Sequence, residues 1–437
     1  MRSLAIAALF GCAQTMEPLP LAELEGATGG SSPSSGASAS GGCESVELAP
    51  EGAFLERDAL VEGTRSACTS AVHALASAEG SEVQVRLVDW PSDASARLEL
   101  VDFNGAVLGS AEGVVRDQAV TFTQPWSGEV LLRVVAEDPD LPATPYALSH
   151  ACVSGCDLAY TRYPLFLMHG MAGTDAWLDI VTYWWGIEPH LEDAGYRVEA
   201  PAVDPFQPPE IRAAQWNEHL DDLWATGTAR RVHITGHSQG GLDARWLATH
   251  LDPERRVVSV TTLGTPNHGT SVADALLGLV DDAILTSWIL DELSNAYAEW
   301  VGAPSEQDLM DQLDAMSRPT MARFNDEVPD REDVQYFSWA GRTCAVLDLL
   351  CQAGNGGEAV FIPLATPFWV IQVLEGDNDG LVSVDSARWG TFLGVLSADH
   401  MNEVGHLVGE TAPGFDHLAF WASEAARLAV LERESLP

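Results

Sequence analysis

The sequence predicts an α/β protein: a doubly wound, mostly parallel sheet preceded by a small all-β sandwich. Three observations carry this reading. Short alternating segments separated by turn dipeptides fill residues 43–156, and apolar strands alternate with helical segments from residue 157 onward. One of those strands runs through a glycine-flanked serine straight into a helix. At 437 residues the chain has room for about two or three domains and a substantial core. Its hydrophobic content, 46%, is that of a globular protein and excludes wholesale disorder.

Charge removes several functions. There are 22 basic residues against 64 acidic ones, a net charge of −42, and every basic residue is arginine. Without lysine there is no Schiff-base chemistry, no Ser-Lys dyad and no P-loop. A nucleic-acid partner needs a basic footprint that this chain lacks. The acidity itself reads as solubility through self-repulsion.

In chain order, residues 1–12 read as an export signal. Met1-Arg2 supplies a positive start, and Leu4–Gly11 is an apolar run too short to span a bilayer. The run ends Leu9-Phe10-Gly11-Cys12, which resembles a bacterial lipobox with an unusual Phe before the glycine. Two destinations follow: free secretion, or an outer-membrane lipoprotein tethered through Cys12. Residues 13–42 are a linker, low-complexity Gly/Ser/Ala over 26–42. Cys12 apart, the cysteines are Cys43, Cys68, Cys152, Cys156, Cys344 and Cys351. No C-x-x-C pair or His/Cys cluster has zinc spacing, so disulfides in an oxidising compartment are expected, and proximity suggests 43–68, 152–156 and 344–351.

Residues 43–156 form the sandwich. Ser81–Val88 places Val83, Val85 and Leu87 on one face, and Arg97–Leu108 reads as a hairpin around Asn104-Gly105. Ala119–Thr123, Glu129–Val135 and Tyr146–Val153 follow. The stretch is similar to the prepeptidase-type C-terminal domains of secreted hydrolases, which implies an accessory binding module or a spacer. Residues 157–437 form the catalytic unit. Strands are expected at Pro164–His169, Tyr196–Val203, Val232–Thr235, Val257–Leu263 and Phe368–Leu374, with an amphipathic helix over Ile211–Trp224. Ligands of such a sheet bind beyond the carboxyl ends of its strands.

Between the Val232–Thr235 strand and a helix at Gly241–Leu251 sits Gly236-His237-Ser238-Gln239-Gly240, a G-x-S-x-G nucleophile elbow. Its glycines remove the Cβ atoms that would clash in so sharp a turn, and the N–H of Gln239 points where an oxyanion would form. A serine hydroxyl needs an imidazole to take its proton, and the imidazole needs a carboxylate to hold its tautomer, in the chain order serine, acid, histidine. After Phe368–Leu374, Asp377 and Asp379 both qualify by placement. His400 and His406 lie in later loops, while His417 opens the terminal helix as a capping or surface residue.

Residues 164–405 resemble the true bacterial triacylglycerol lipases of Pseudomonas and Burkholderia, of the α/β-hydrolase superfamily. The matching pieces, in family order, are HGMAGTDAW (169–177), VTYWWGI (181–187), VHITGHSQGGLDARW (232–246), SVTTLGTPNHGTSVAD (259–274), FSWAG (337–341), NDGLVSV (378–384) and DHMNEVG (399–405). The resemblance implies Ser238 as nucleophile, Asp379 as acid, His400 as base, and oxyanion N–H groups from Met171 and Gln239. It makes Asp377, Asp399 and His406 bystanders and gives His169, His237 and His268 structural roles. It implies a lid within the insert 270–335, where 271–303 is rich in apolar residues.

The resemblance also implies a structural calcium held by two aspartates, one of them two residues after the catalytic histidine. That position is Asn402 here, and Phe361–Leu374 offers no aspartate for the other, so no cofactor is expected. The family disulfide ends six residues after the acid, where this chain has Asp385. The expectation is an exported serine ester hydrolase acting on acyl esters at a lipid interface, with a foldase as a candidate partner and the oligomeric state undecided. The alternatives are a polyesterase or polyhydroxyalkanoate depolymerase, and a non-catalytic surface-binding protein on a hydrolase scaffold.

Overall fold

A computed structural model describes residues 54–65, 70–137, 141–142, 144–171, 183–280, 306–406 and 408–435. The export signal, Cys12, the linker, the 43–68 pair and most of the lid stretch lie outside the described residues. No described helix is long and apolar enough to cross a membrane.

Eight strands make the first unit: β1 (Leu60–Arg65), β2 (Ala71–Ser77), β3 (Glu82–Asp89), β4 (Ala96–Val101), β5 (Val107–Val114), β6 (Ala119–Thr123), β7 (Gly128–Ala136) and β8 (Thr144–Ser154). They form two antiparallel sheets, ordered β1-β8-β3-β6 and β2-β7-β4-β5. β1 and β2 were not anticipated from the sequence. The period-two pattern does its expected work: Val83, Val85 and Leu87 are buried, with Arg86 exposed between them. They join Leu98, Leu100, Val130, Leu132 and Val134 of the other sheet in one core. The β4–β5 hairpin turns through Asn104-Gly105, with Gly105 at φ 88° and Asp102 Oδ1 accepting the Asn104 and Ala106 N–H groups. The same turn docks on the second unit, Phe103 N–H donating to Gly227 O at 2.9 Å. The Cys152–Cys156 and Cys344–Cys351 disulfides are both formed.

The second unit is built on a six-stranded parallel sheet: β9 (Leu165–Met168), β10 (Val198–Glu199), β11 (Val232–His237), β12 (Val257–Leu263), β13 (Gln335–Gly341) and β14 (Thr391–Leu396). Their order is β10-β9-β11-β12-β13-β14. This is the α/β-hydrolase architecture. Side-chain alternation along β9 shows why helices cover both faces. Leu165 and Leu167 pack with Ile187, Leu191, Trp421 and Leu428, whereas Phe166 and Met168 pack with Ala213, Trp216, Leu220 and Leu247 on the other side. The helices concerned are Ile187–Asp193 and His417–Ser435 on one face, and Pro209–Ala225 and Gln239–Trp246 on the other. The last continues as a π turn over Leu247–Leu251. Of the strand expected at Tyr196–Val203, only Val198–Glu199 pairs.

The strand expected at Phe368–Leu374 is instead part of a helix, Ala365–Leu374. A short apolar run carries no period that separates a buried strand from a helix. Placement decides it: Pro367, Phe368, Val370 and Ile371 are buried at helical spacing, Val370 and Ile371 against Val272 and Ala275 and Phe368 against Leu364 and Met401. Val272 and Ala275 belong to the buried helix Ser271–Leu276, so the first turns of the stretch assigned to the lid are core. Helices Glu306–Ala315 and Arg318–Glu327 lie in the remainder of that insert.

The helix and strand assignments make different demands on neighbouring substitutions. Ile371 is fully buried and Val373 is 69% exposed. Ile371→Ala should therefore cost about 2–5 kcal/mol in denaturant unfolding, and Val373→Ala no more than about 0.5 kcal/mol. In a strand residues i and i+2 share a face, so equal losses would restore the strand assignment.

Candidate active site

Every residue assigned to catalysis lies beyond the carboxyl edge of the parallel sheet. Ser238 follows β11 directly, with φ 56° and ψ −131°, a conformation that non-glycine residues rarely adopt. The turn closes because its glycines carry no side chain: a Cβ at Gly240 would lie 2.1 Å from Met168 O, and one at Gly236 would lie 2.4 Å from Gly240 C. Ser238 N–H donates to Leu263 O at 2.9 Å, anchoring the turn to β12. Ser238 itself is half-buried, between fully enclosed His237 and Gln239.

The acid and the histidine meet there. His400 Nδ1 and Asp379 Oδ2 are 2.8 Å apart, and both residues are buried. Asp379 Oδ1 accepts the N–H groups of Leu381 and Val382, and Asp379 O accepts His400 N–H. With a carboxylate opposite Nδ1, that nitrogen carries the proton and Nε2 is left bare. Asp379 stands in the turn after the Ala365–Leu374 helix rather than after a strand. Asp377 is excluded from the group: its side chain is 61% exposed and faces Arg342 Nη1 at 3.6 Å.

A buried polar chain lies beneath. The His237 and His400 rings are 4.6 Å apart. Gly170 N–H donates to Tyr183 Oη at 2.9 Å, so the Tyr183 hydroxyl proton goes to His237 Nδ1 at 2.5 Å, and His237 Nε2–H donates to Glu403 Oε2 at 2.9 Å. Burial holds His237 far below the ordinary imidazole range, and neighbouring His400 and His406 push it the same way. Burial, with Asp379 and Asp399 adding repulsion, raises Glu403 well above the ordinary carboxylate range. Burial thus opposes ionisation of Glu403, and Asp379 is the acid that faces His400 Nδ1.

The loop assigned to the oxyanion hole leaves β9 through His169 and Gly170. A Cβ at Gly170 would meet Ser238 Cβ at 2.6 Å and Tyr183 Oη at 2.7 Å, so only glycine lets the loop approach the serine. Burial, and the Arg212 charge after it, lower His169 to about 3, so its ring is neutral. Its Nε2 accepts Val203 N–H at 3.1 Å, and Nδ1–H donates to Gly170 O at 2.8 Å. Met171 follows, packed among Phe206, Leu242 and Leu313. Gln239 opens the elbow helix, its side chain donating to Gln207 O and accepting from Gln312 Nε2.

Four of these positioning residues were not legible: Tyr183, Glu403, Gln312 and Arg212. Arg212 is fully buried; it binds Asp243 of the elbow helix at 2.7 Å and His169 O of the oxyanion loop. An arginine within an amphipathic helix reads as surface, and its partners lie far away in sequence. His417 also departs from expectation. It opens the terminal helix but is buried, with Nε2 donating to Trp185 O at 3.0 Å. His268 is exposed.

The region assigned to calcium does not suit that ion. Asn402 adds no charge, and its Nδ2 faces Glu358 Oε1 at 3.3 Å. Glu358 Oε1 also accepts from Asp399 N and Thr343 Oγ1, and burial raises this carboxyl to about 7. The Asp399 oxygens accept backbone N–H groups from Phe361, Met401 and Asn402. Calcium requires about six to eight oxygens with carboxylate charge free to face it. Here protein donors already occupy Glu358 Oε1 and both Asp399 oxygens, which leaves Asn402 Oδ1, an uncharged oxygen, without a partner.

The chain is 30% identical over 304 residues to a triacylglycerol lipase of Burkholderia plantarii, spanning 60% of this chain and 84% of that protein. It belongs to the bacterial triacylglycerol lipase family. It is a carboxylic ester hydrolase. A triacylglycerol lipase of Pseudarthrobacter phenanthrenivorans is likewise 30% identical (57% of this chain, 91% of that protein), and one of Pseudomonas fragi is 28% identical (62% and 98%). Among solved structures, a Bacillus licheniformis lipase is similar at 22% identity and TM-score 0.44, covering 61% of this chain and 91% of its own. No family model matches the chain.

One neighbour of the lipase site gives a pH test. His406 packs edge-on against Tyr183, ring centroids 4.5 Å apart, and burial, with His400 second, lowers it from 6.5 to about 4. A histidine kept neutral in the fold but free to charge when unfolded gives stability that is present above pH 6.5 and lost as pH falls through about 4. Between those limits the wild type should lose stability relative to His406→Gln, read as the difference in urea midpoints. A pH-independent difference contradicts the assignment.

Proposed function

We propose that this lipase-family hydrolase cleaves long-chain acyl esters through Ser238, His400 and Asp379, and that it acts after export. The observation that supports the reading best is the 2.8 Å contact between His400 Nδ1 and Asp379 Oδ2, with the His400 ring against His237 beside the strained serine. His400 Nε2 accepts the Ser238 hydroxyl proton as Oγ attacks the ester carbonyl. The carbonyl oxygen becomes an oxyanion and takes N–H donors from Met171 and Gln239, the latter at the open N-terminus of the elbow helix. Collapse expels the alcohol, which leaves with the proton from His400. Water then repeats the sequence on the acyl-enzyme, its proton passing to His400 and on to Ser238 Oγ as the fatty acid departs. Asp379 holds the imidazole tautomer and faces its positive charge throughout.

Export agrees with an apolar start ending at Cys12 and with two disulfides in a chain free of zinc-type cysteine spacing. Hydrolysis of a p-nitrophenyl acyl ester tests the site. Ser238→Ala should lower kcat by about 10⁴-fold or more while the protein remains folded. Asp379→Asn should lower it by up to about 10⁴-fold, and Asp377→Asn should leave it within about twofold, its ion pair being exposed. A chelator should leave wild-type activity unchanged. Activity retained by Ser238→Ala, or a larger loss at Asp377 than at Asp379, sinks the assignment.

A further inference from the structure

The connection from β13 to the Asp379 turn, residues 342–376, keeps its apolar side chains in water to an unusual degree. It begins with a loop closed by the Cys344–Cys351 disulfide and spelling Ala345-Val346-Leu347-Asp348-Leu349-Leu350. Leu347 is 91% exposed and Leu350 89% exposed, with Leu349 and Val346 also outside. Nothing in the short helix Leu349–Gly354 is buried. Further along, Ile362, Trp369 and Val373 are exposed as well. An apolar loop ordinarily folds down onto the nearest core. This one is held out by its disulfide, by Gln352 Nε2 donating to Ala345 O and Val346 O, and by Asp348 Oδ1 accepting Cys351 N–H.

The knuckle is joined to the catalytic edge. Thr343 N–H donates to Asn378 O at 2.9 Å, next to Asp379, and Val360 N–H donates to Cys344 O at 2.8 Å. Ala345 packs in the same cluster as Leu364, Phe368 and Met401, the last of which adjoins His400. Charge narrows what the face can meet. The protein carries −42, so an anionic surface repels it. Yet residues 359–374 hold no charged side chain, and the knuckle itself holds only Asp348. A cationic partner would find little to bind here. Exposed apolar side chains, Trp369 among them, with Asp348 as the one charge of the knuckle, suit an interface between water and uncharged acyl material.

We propose that residues 345–373 dock the enzyme on an electrically neutral lipid surface, with Leu347, Leu349 and Leu350 of the disulfide-braced knuckle entering it. The knuckle, residues 344–351, lies outside the insert 270–335 in sequence, whereas the helix Ala365–Leu374 packs on Val272 and Ala275 of that insert. The inference rests on the proposed action on acyl esters and adds to it where the surface is gripped: beside the Asp379 turn, on a rigid projection.

The test is sedimentation of the full chain with phosphatidylcholine vesicles, comparing wild type with Leu347→Asp/Leu350→Asp. Both side chains are exposed, so the fold should be untouched, and hydrolysis of monomeric p-nitrophenyl acetate by the variant should equal that of wild type. Partition onto the vesicles should fall by about tenfold or more, from the apolar area two leucines withdraw from water. Added phosphatidylglycerol should weaken wild-type binding, and salt should restore it. Unchanged partition of the variant, or tighter wild-type binding to the anionic vesicles, overturns the proposal. So does a variant that changes only the oligomeric state, which would make the face a contact between copies of the chain. Soluble-ester hydrolysis reports on the active site independently: its absence would remove the proposed function and leave the vesicle result standing or falling by itself.

Discussion

The turn at Ser238 is the constraint that orders the rest. A non-glycine residue at φ 56° costs about 1–3 kcal/mol and persists only where its surroundings leave no alternative. Here β9 and β12 flank the turn, and a Cβ at Gly240 or Gly241 would strike Met168 O or Thr265, so the turn can pass only with glycine at both positions. The strain lifts one hydroxyl out at the edge of an otherwise buried segment. The oxyanion loop must then come within van der Waals reach of Ser238 Cβ, which is why residue 170 is glycine.

Placing a charged site on so dry a scaffold requires buried polar support. Two devices supply it. Arg212 joins Asp243 of the elbow helix to the His169 carbonyl, so one buried side chain ties the two arms of the site together. Trp216 Nε1 gives Asp243 a second donor at 3.0 Å. The Tyr183–His237–Glu403 chain joins the loop after β9 to the residue before the serine and ends on an acid whose ionisation burial opposes. Three carboxyls, Asp379, Asp399 and Glu403, crowd the same region, and they cannot all be charged there. Asp379 has two backbone N–H donors and an imidazole facing it, and Glu403 has the His237 imidazole on Oε2 and the Gly341 N–H. The same cost of bringing charge inside accounts for neutral His169, His237 and His406 around the site.

Much of this was readable from the chain because local chemistry forces it. The glycines around Ser238, the alternation of Val83, Val85 and Leu87, and the Asn104-Gly105 hairpin each answer to a backbone requirement visible within a few residues. What was not readable depends on contacts distant in sequence. The run at 368–374 has apolar residues on both sides, and only packing against Val272 and Ala275 makes it a helix. Glu403 and Arg212 look like surface charges until their partners are known. Glu358 falls three residues before the window searched for a metal ligand, and it faces Asn402 as a hydrogen-bond acceptor. The exposure of the apolar disulfide loop was not legible, because sequence shows hydrophobicity but not that a disulfide and Gln352 hold it in water.

The central claim is that the strained turn makes Ser238 a nucleophile activated by its neighbours, which distinguishes it from the other serines of the chain. Labelling of the native protein with a fluorophosphonate, followed by peptide mass spectrometry, reads this directly. The account predicts a single adduct, on Ser238. A folded protein that takes up no label, or that carries it on another serine, contradicts it.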